Sequence, residues 1–157
     1  SCVDPMKKSF EIDGVIAQPL EQIESNCGTV LQMLRNDSSL FNQFGEIYFS
    51  EIHPRMINAW KRHKQQAQNL TVPLGNIRLV IYDDRSTSSS RGKIMEYELG
   101  RPENYKLIHI PPMLWYGFQE ISGQISMIAN CPDKPHDPQE AESKSADSNQ
   151  IPYQWEV

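Results

Sequence analysis

The stretch from Ile57 to Leu70 (INAWKRHKQQAQNL) constrains this chain more than any other. Side chains two apart in a strand share a face. Extended, Ile57, Ala59, Lys61, His63 and Gln65 line up on one side. A lysine and a histidine among small and apolar neighbours suit the polar interior of a β-barrel. They equally suit a solvated basic edge strand, since lysines blunt sheet edges. The rest of the chain points to strands. Ile77 to Tyr82 (IRLVIY) is strongly β-branched, and Ile94 to Leu99 alternates, with Met95, Tyr97 and Leu99 on one face and Glu96 and Glu98 on the other. Few windows sustain a helical period, so the expected class is mainly β.

Leu107 to Phe118 (LIHIPPMLWYGF) reads as a strand, a double-proline stop and an aromatic strand. The spacing of the two stretches resembles that of cupin barrels. Where metal-binding cupins carry His-x-His, Glu, Gly and then Pro-x-Gly-x-x-His, this chain has Lys61, His63, Gln68 and Gly75, then Pro111, Met113 and Tyr116. A transition metal normally needs two or three His or carboxylate ligands. One histidine does not suffice, so the expectation is a cupin-type double-sheet jelly-roll barrel without metal.

Further motifs sharpen the resemblance. Ile110-Pro111-Pro112 is followed by Gly117-Phe118. Gly75 to Arg85 keeps Gly75, Asp83 and Arg85. A serine-rich turn precedes Gly92-Lys93, and Ile151 to Trp155 closes the series. In order and spacing these resemble the dTDP-4-dehydrorhamnose 3,5-epimerases, metal-free cupins of nucleotide-sugar biosynthesis. The resemblance runs from Gly14 to Trp155. It implies a dTDP- or UDP-linked sugar as ligand, no cofactor, a homodimer paired through N-terminal strands, and a role in deoxysugar and surface-polysaccharide biosynthesis.

The chemistry implied is proton transfer beside a ketone: a His base oriented by an Asp, a Lys near the enolate, and a Tyr acid. Laid on without gaps, the family's Arg falls on Asn58, its base His on Lys61, its Lys on Gln68, its second His on Tyr116, and its Tyr acid on or near Asn130. The orienting Asp finds no counterpart. A two-residue slip would make His63 the base. The catalytic candidates are therefore Lys61, His63 and Tyr116, and the substrate-binding candidates are Asn58, Trp60, Gln68, Asp83, Arg85, Trp115 and Asn130. Asp83 and Arg85 have a simpler reading as the cap and end of a hairpin. With base, enolate and acid positions replaced, standard 3,5-epimerase activity is expected to be weak or absent. Two alternatives stand beside this nucleotide-sugar-binding reading. One is single-centre epimerisation or ketoisomerisation using His63 or Lys61. The other is a structural cupin with a protein partner.

Composition sets the frame. At 157 residues and 38% hydrophobic content, one cupin domain over 1–157 is expected, with a poorly ordered lead-in at 1–12 and a polar loop at 132–150. A net charge of −5 disfavours general nucleic-acid binding. No apolar run approaches a membrane span, and no signal-type apolar centre is read. Cys2, Cys27 and Cys131 are scattered and odd in number, which fits a cytoplasmic setting better than a disulfide framework. Short strands are expected at Val15–Ala17 and Thr29–Leu34 around a turn at Ser25–Gly28, and another at Ile47–Phe49. A helical turn is expected at Asp37–Leu40, and a flexible hairpin loop at Ser86–Ser90. Between Ile52 and Tyr82 there is no Asp or Glu, while Arg55, Lys61, Arg62, Lys64 and Arg78 fall inside. Such a zone suits an anion such as pyrophosphate, or reflects the depletion of acids in strands.

Overall fold

Many of the chain's apolar strand residues are buried between two stacked sheets. The structure, a computed structural model, describes residues 11–156. The strands are β1 (Ile16–Pro19), β2 (Gln22–Ser25), β3 (Gly28–Leu31), β4 (Tyr48–Ile52), β5 (Ile57–His63), β6 (Gln68–Leu74), β7 (Asn76–Tyr82), β8 (Ile94–Gly100), β9 (Lys106–Ile110), β10 (Trp115–Glu120), β11 (Ser126–Asn130) and β12 (Ala141–Ser143). One five-stranded sheet runs β1-β9-β6-β11-β4, and a second runs β12-β5-β10-β7-β8. All pairings are antiparallel. This is the double-sheet jelly roll expected from the sequence. The β2–β3 hairpin stands apart from both sheets.

The core lies between the sheets. Leu70, Val72, Ile108, Ile110 and Ile128 of the first sheet meet Ile77, Leu79, Ile81, Met95 and Leu99 of the second. Ile77, Leu79 and Ile81 are completely buried, each worth roughly 1.5–3 kcal/mol of burial. A second cluster covers the outer face of the β5–β10–β7 sheet, where Trp60, Val80 and Trp115 pack under Ile151 and Trp155 of the C-terminal segment.

Several expectations need correction. The face shared by Ile57, Ala59, Lys61 and His63 does not exist, because β5 bulges against β10. Tyr116 pairs with Lys61 and Phe118 with Asn58, leaving Gly117 opposite both Ala59 and Trp60. The extra residue inverts parity. Ile57 and Ala59 turn to the outer cluster, while Asn58 joins Lys61 on the inner side. Gly117 permits this, since a Cβ there would lie 2.4 Å from the Ala59 Cβ. Gln65 lies beyond the strand and is exposed.

The basic-edge-strand reading fails as well: β5 is flanked on both sides, by β12 and β10. The strand β12 interrupts the supposed 132–150 loop because its backbone groups pair with His63, Arg62 and Lys61. At 37–40 the chain makes turns, not a helical turn, with the Ser38 hydroxyl accepting the Leu40 N–H. The lead-in at 1–12 lies outside the described residues except for Glu11 and Ile12, and Ile12 is buried in the core. The serine-rich loop is tied down: Ser88 and Ser90 each donate to Asp83 at 2.6 Å. No helix among the described residues is long and apolar enough to cross a membrane.

Candidate functional site

Asn58 and Lys61 from β5 and Tyr116 and Phe118 from β10 form one wall of a cavity of about 100 Å³. Tyr48 and Ser50 from β4 and Ile128 and Asn130 from β11 form the other. The bulge in β5 brings Asn58 and Lys61, three apart in sequence, to the same wall. Lys61 makes no ion pair among the described residues. A larger groove of about 660 Å³ lies on the outer face, between Ile57 and the 146–155 segment, away from Lys61 and Tyr116.

Behind the cavity wall sits His63, 9% exposed. Its Nδ1 lies 2.6 Å from Glu140 Oε1 and its Nε2 lies 3.1 Å from the Tyr116 hydroxyl. Glu140 Oε2 also accepts the Gln65 and Gln66 backbone N–H groups at 2.9 and 3.0 Å. Burial alone would raise the Glu140 pKa, but these donors and His63 outweigh it and lower it. Glu140 is therefore a carboxylate at neutral pH and accepts from His63 Nδ1–H. Nε2 is then free to accept from Tyr116. Burial pushes the Tyr116 phenol far above its ordinary value, with Tyr48 and Glu140 adding to the effect. Tyr116 thus stays protonated and donates to His63.

Glu140 holds the His63 ring in place, and the resemblance offered no counterpart for such a carboxylate. It comes from the segment before β12, 77 residues from His63, and only the β12–β5 register reveals it. Tyr48 was missed too. It pairs directly with Asn130 across β4 and β11, and Asn130 Nδ2 donates to its hydroxyl at 2.9 Å. Burial raises the Tyr48 pKa, the Asn130 bond partly offsets this, and Glu46 adds to the rise. Tyr48 is thus a second phenol lining the cavity beside Tyr116.

Of the sequence candidates, Asn58, Lys61, Tyr116 and Asn130 line the cavity, and His63 adjoins it through Tyr116. Gln68 stands one step back, accepting from Asn130 Nδ2 at 2.7 Å. Trp60, a substrate-binding candidate, is instead packed against Trp155 at 5.1 Å on the outer face. Trp115 is buried there too and donates to Asp84 at 3.1 Å. Asp83 and Arg85 do not converge on the cavity. Asp83 is fully buried and receives Arg85 Nε at 2.9 Å along with both serines. Burial pushes its carboxyl up, but the bonds from Arg85, Ser88 and Ser90 hold it well below the usual range. The simpler reading, a capped hairpin end, is the observed one.

The acid-free zone is acid-free in sequence but not in space. Arg62 pairs with Asp84 at 3.2 Å and with Glu142, and Arg78 lies 3.8 Å from Glu98 and 3.7 Å from Glu156. Lys64 lies 3.8 Å from Glu142. The strands β8 and β12, the turn after β7 and Glu156 thus supply carboxylates to Arg62, Lys64 and Arg78. No group of three His, Cys, Asp or Glu side chains among the described residues is placed to hold a metal ion.

Comparisons with known proteins bear on the family and the fold. The chain is 30% identical over 128 residues to the probable low-salt glycan biosynthesis epimerase Agl13 of Haloferax volcanii, covering 80% of this chain and 78% of that protein. It is 26% identical over 146 residues to the spore coat polysaccharide biosynthesis protein SpsL of Bacillus subtilis, covering 92% and 96%. Among solved structures, a dTDP sugar isomerase from Desulfovibrio desulfuricans superposes with a TM-score of 0.90 at 46% identity, over 92% of each chain. A dTDP-4-dehydrorhamnose 3,5-epimerase from Elizabethkingia anophelis shares the fold, with a TM-score of 0.78 at 16% identity over 95% of this chain and 85% of that one. No family model matches the chain.

Proposed function

Because the chain belongs to the nucleotide-sugar isomerase and epimerase family that includes dTDP-4-dehydrorhamnose 3,5-epimerase, we propose that it moves a proton beside the ketone of a 4-keto-6-deoxy nucleotide sugar. The product is a single-centre epimer or a keto isomer, made for polysaccharide biosynthesis. The observation that carries this reading is the hydrogen-bonded chain from Glu140 through His63 to Tyr116 on the cavity wall.

The ketone acidifies the neighbouring C–H. Removing that proton needs a base and a group that stabilises the enolate oxygen. Tyr116 oxygen takes the carbon's proton as its own passes to His63 Nε2, and the ionised Glu140 stabilises the imidazolium. The C–H electron pair moves into the carbonyl. Lys61, on the same wall and without an ion-pair partner among the described residues, stabilises the enolate oxygen. The cavity, about 100 Å³, is small beside the roughly 300 Å³ lower range of ligand pockets. It suits the reacting ring, with a dTDP or UDP group outside. One base wall serves one proton, so turnover at both C3 and C5 is expected to be weak.

A homodimer goes with this reading. The β2–β3 hairpin exposes Ile23 and Val30, and the edge strand β4 exposes Phe49, which is 63% accessible. Edge strands with such faces pair with a second copy, and light scattering at micromolar concentration tests it. The free Cys27 and Cys131 suit a cytoplasmic setting.

The test of function is deuterium wash-in from heavy water with dTDP- and UDP-4-keto-6-deoxyglucose, followed by NMR. Exchange is expected at C3 or C5 alone, and is lost in His63→Asn. Binding without exchange, or equal exchange at both centres, would overturn the proposal.

A further inference from the structure

Where a centre is inverted, the proton lost to Tyr116 and His63 has to be matched by one delivered to the opposite face. Three side-chain amides run behind the opposite wall, anchored at each end on the backbone. Gln66 Nε2 donates to Pro135 O at 3.0 Å, and Gln66 Oε1 accepts from Gln68 Nε2 at 3.2 Å. Gln68 Oε1 accepts from Asn130 Nδ2 at 2.7 Å. Asn130 Nδ2 also donates to the Tyr48 hydroxyl at 2.9 Å, and its Oδ1 accepts the Asn69 N–H at 3.3 Å.

The two ends of an amide have nearly the same shape, so orientation follows from the bonding network. Here the network has one solution. Pro135 O can only accept and Asn69 N–H can only donate. Flipping any one of the three amides sets donor against donor or acceptor against acceptor. Gln66, Gln68 and Asn130 are 4%, 1% and 4% exposed, so water does not repair a flipped amide, and each unmade buried bond costs about 1–3 kcal/mol. The Tyr48 oxygen is therefore an acceptor toward Asn130. Its hydroxyl proton has to point elsewhere, and Tyr48 lines the cavity.

We propose that the Gln66–Gln68–Asn130 amide chain is a positioning device that presents Tyr48 as the proton donor facing Tyr116. The two phenols project from different sheets, so the proton is returned from the wall opposite the one that takes it. Resting on the proton-transfer reading above, the step is balanced. The enolate's electron pair forms the new C–H bond with the Tyr48 proton, and the ketone reforms. Tyr48 is left as phenolate and His63 as imidazolium, and solvent exchange resets both.

The experiment separates abstraction from return. In heavy water, Tyr48→Phe and Asn130→Asp are followed for deuterium in recovered substrate and for isomerised product. In Asn130→Asp the carboxylate accepts the Tyr48 hydroxyl and turns its proton away from the cavity. Product formation is expected to fall at least ~10²-fold in both variants, while exchange into recovered substrate persists. The double variant should be no slower than Tyr48→Phe alone. Gln68→Met, which keeps the buried volume and removes the anchor of Asn130, should act in the same direction. A second measurement needs no turnover: the Tyr48 phenol is titrated by NMR with 13Cζ-labelled tyrosine. Its midpoint should rise in Asn130→Asp. Wild-type product formation with an unmoved Tyr48 titration would overturn the amide chain. A wild-type protein that exchanges nothing refutes the proton-transfer reading instead. The titration then decides the amide chain alone, a rise supporting it and no change refuting it.

Discussion

Glu140→Gln probes the proton chain at the end furthest from substrate. The carboxylate accepts His63 Nδ1 at 2.6 Å and the Gln65 and Gln66 N–H groups at 2.9 and 3.0 Å. An amide offers one oxygen and one group that only donates. The two backbone donors claim the oxygen, so the amide NH2 faces His63. Nδ1 then has to accept, Nε2 carries the proton, and His63 can no longer take one from Tyr116. A wrong tautomer of this kind costs about 10⁴ in rate in Ser-His-Asp enzymes. The expected loss in deuterium wash-in is ~10²–10⁴-fold. KM should barely move, since Glu140 does not line the cavity. Stability should fall by roughly 2–4 kcal/mol, from one charge-assisted bond lost and two weakened. The folded pKa of Glu140 lies below its ordinary value of 4.5. Its stabilisation is therefore fully present above that value and is lost as pH falls through the folded pKa. Urea melts should show the gap between wild type and variant closing in acid. A folded Glu140→Gln protein with wild-type wash-in, or a stability gap that widens in acid, would refute the reasoning.

Lys61→Met should lower wash-in by ~10²-fold or more by removing the cation at the enolate oxygen, with thermal stability within about 0.5 kcal/mol of wild type because the side chain is exposed. Gly117→Ala should cost ~1–3 kcal/mol in denaturant melts, since the new methyl lies 2.4 Å from the Ala59 Cβ. It should also slow wash-in by displacing Asn58 and Lys61. Asp83→Asn should lower stability by roughly 2–4 kcal/mol and leave KM unchanged. Because the Asp83 carboxyl is held below its ordinary 3.8, that loss should be full at neutral pH and fade as pH drops below this value. A raised KM would return Asp83 to the substrate site.

The jelly roll was legible because its signals are local. Alternation in β8, the β-branched run of β7 and the double proline before β10 each set a strand without knowledge of its neighbours. The site was legible only in part. Lys61, His63 and Tyr116 were named from strand spacing and the family resemblance, and the structure sets Lys61 and Tyr116 on the cavity with His63 behind Tyr116. The parity of β5 was not, because a bulge depends on what faces the strand. Its signal was Gly117, a bare backbone among Trp115, Tyr116 and Phe118, set against the small Ala59. Glu140 sits in a run of Pro, Asp, Glu and Ser that reads as solvent-facing loop, and nothing local marks it as buried. Tyr48 was visible as a strand residue, but its pairing with Asn130 is a register, and register is not written in one strand alone. The acid-free zone misled for the same reason, since ion pairs form across strands.

A barrel wall is a grid, and its spacing explains how a site can change residues without changing what it does. Positions two apart on one strand lie ~6.6 Å apart on the same face, and cross-strand partners lie ~5 Å apart. A side chain two or three bonds longer or shorter covers that difference. In this chain the imidazole stands at His63 beside Lys61 on the same wall, and the carboxylate that orients it reaches in from beside β12. A phenol stands at Tyr48, directly across from Asn130 on the neighbouring strand. The imidazole and the phenol each lie one grid step from the position where the resemblance places a base and an acid. Replacement of a base at 61, a cation at 68 and an acid at 130 is therefore no argument by itself for loss of turnover. Under the proposed mechanism turnover depends on base, cation and donor facing one cavity, and Tyr116, Lys61 and Tyr48 line the same one, with His63 behind Tyr116.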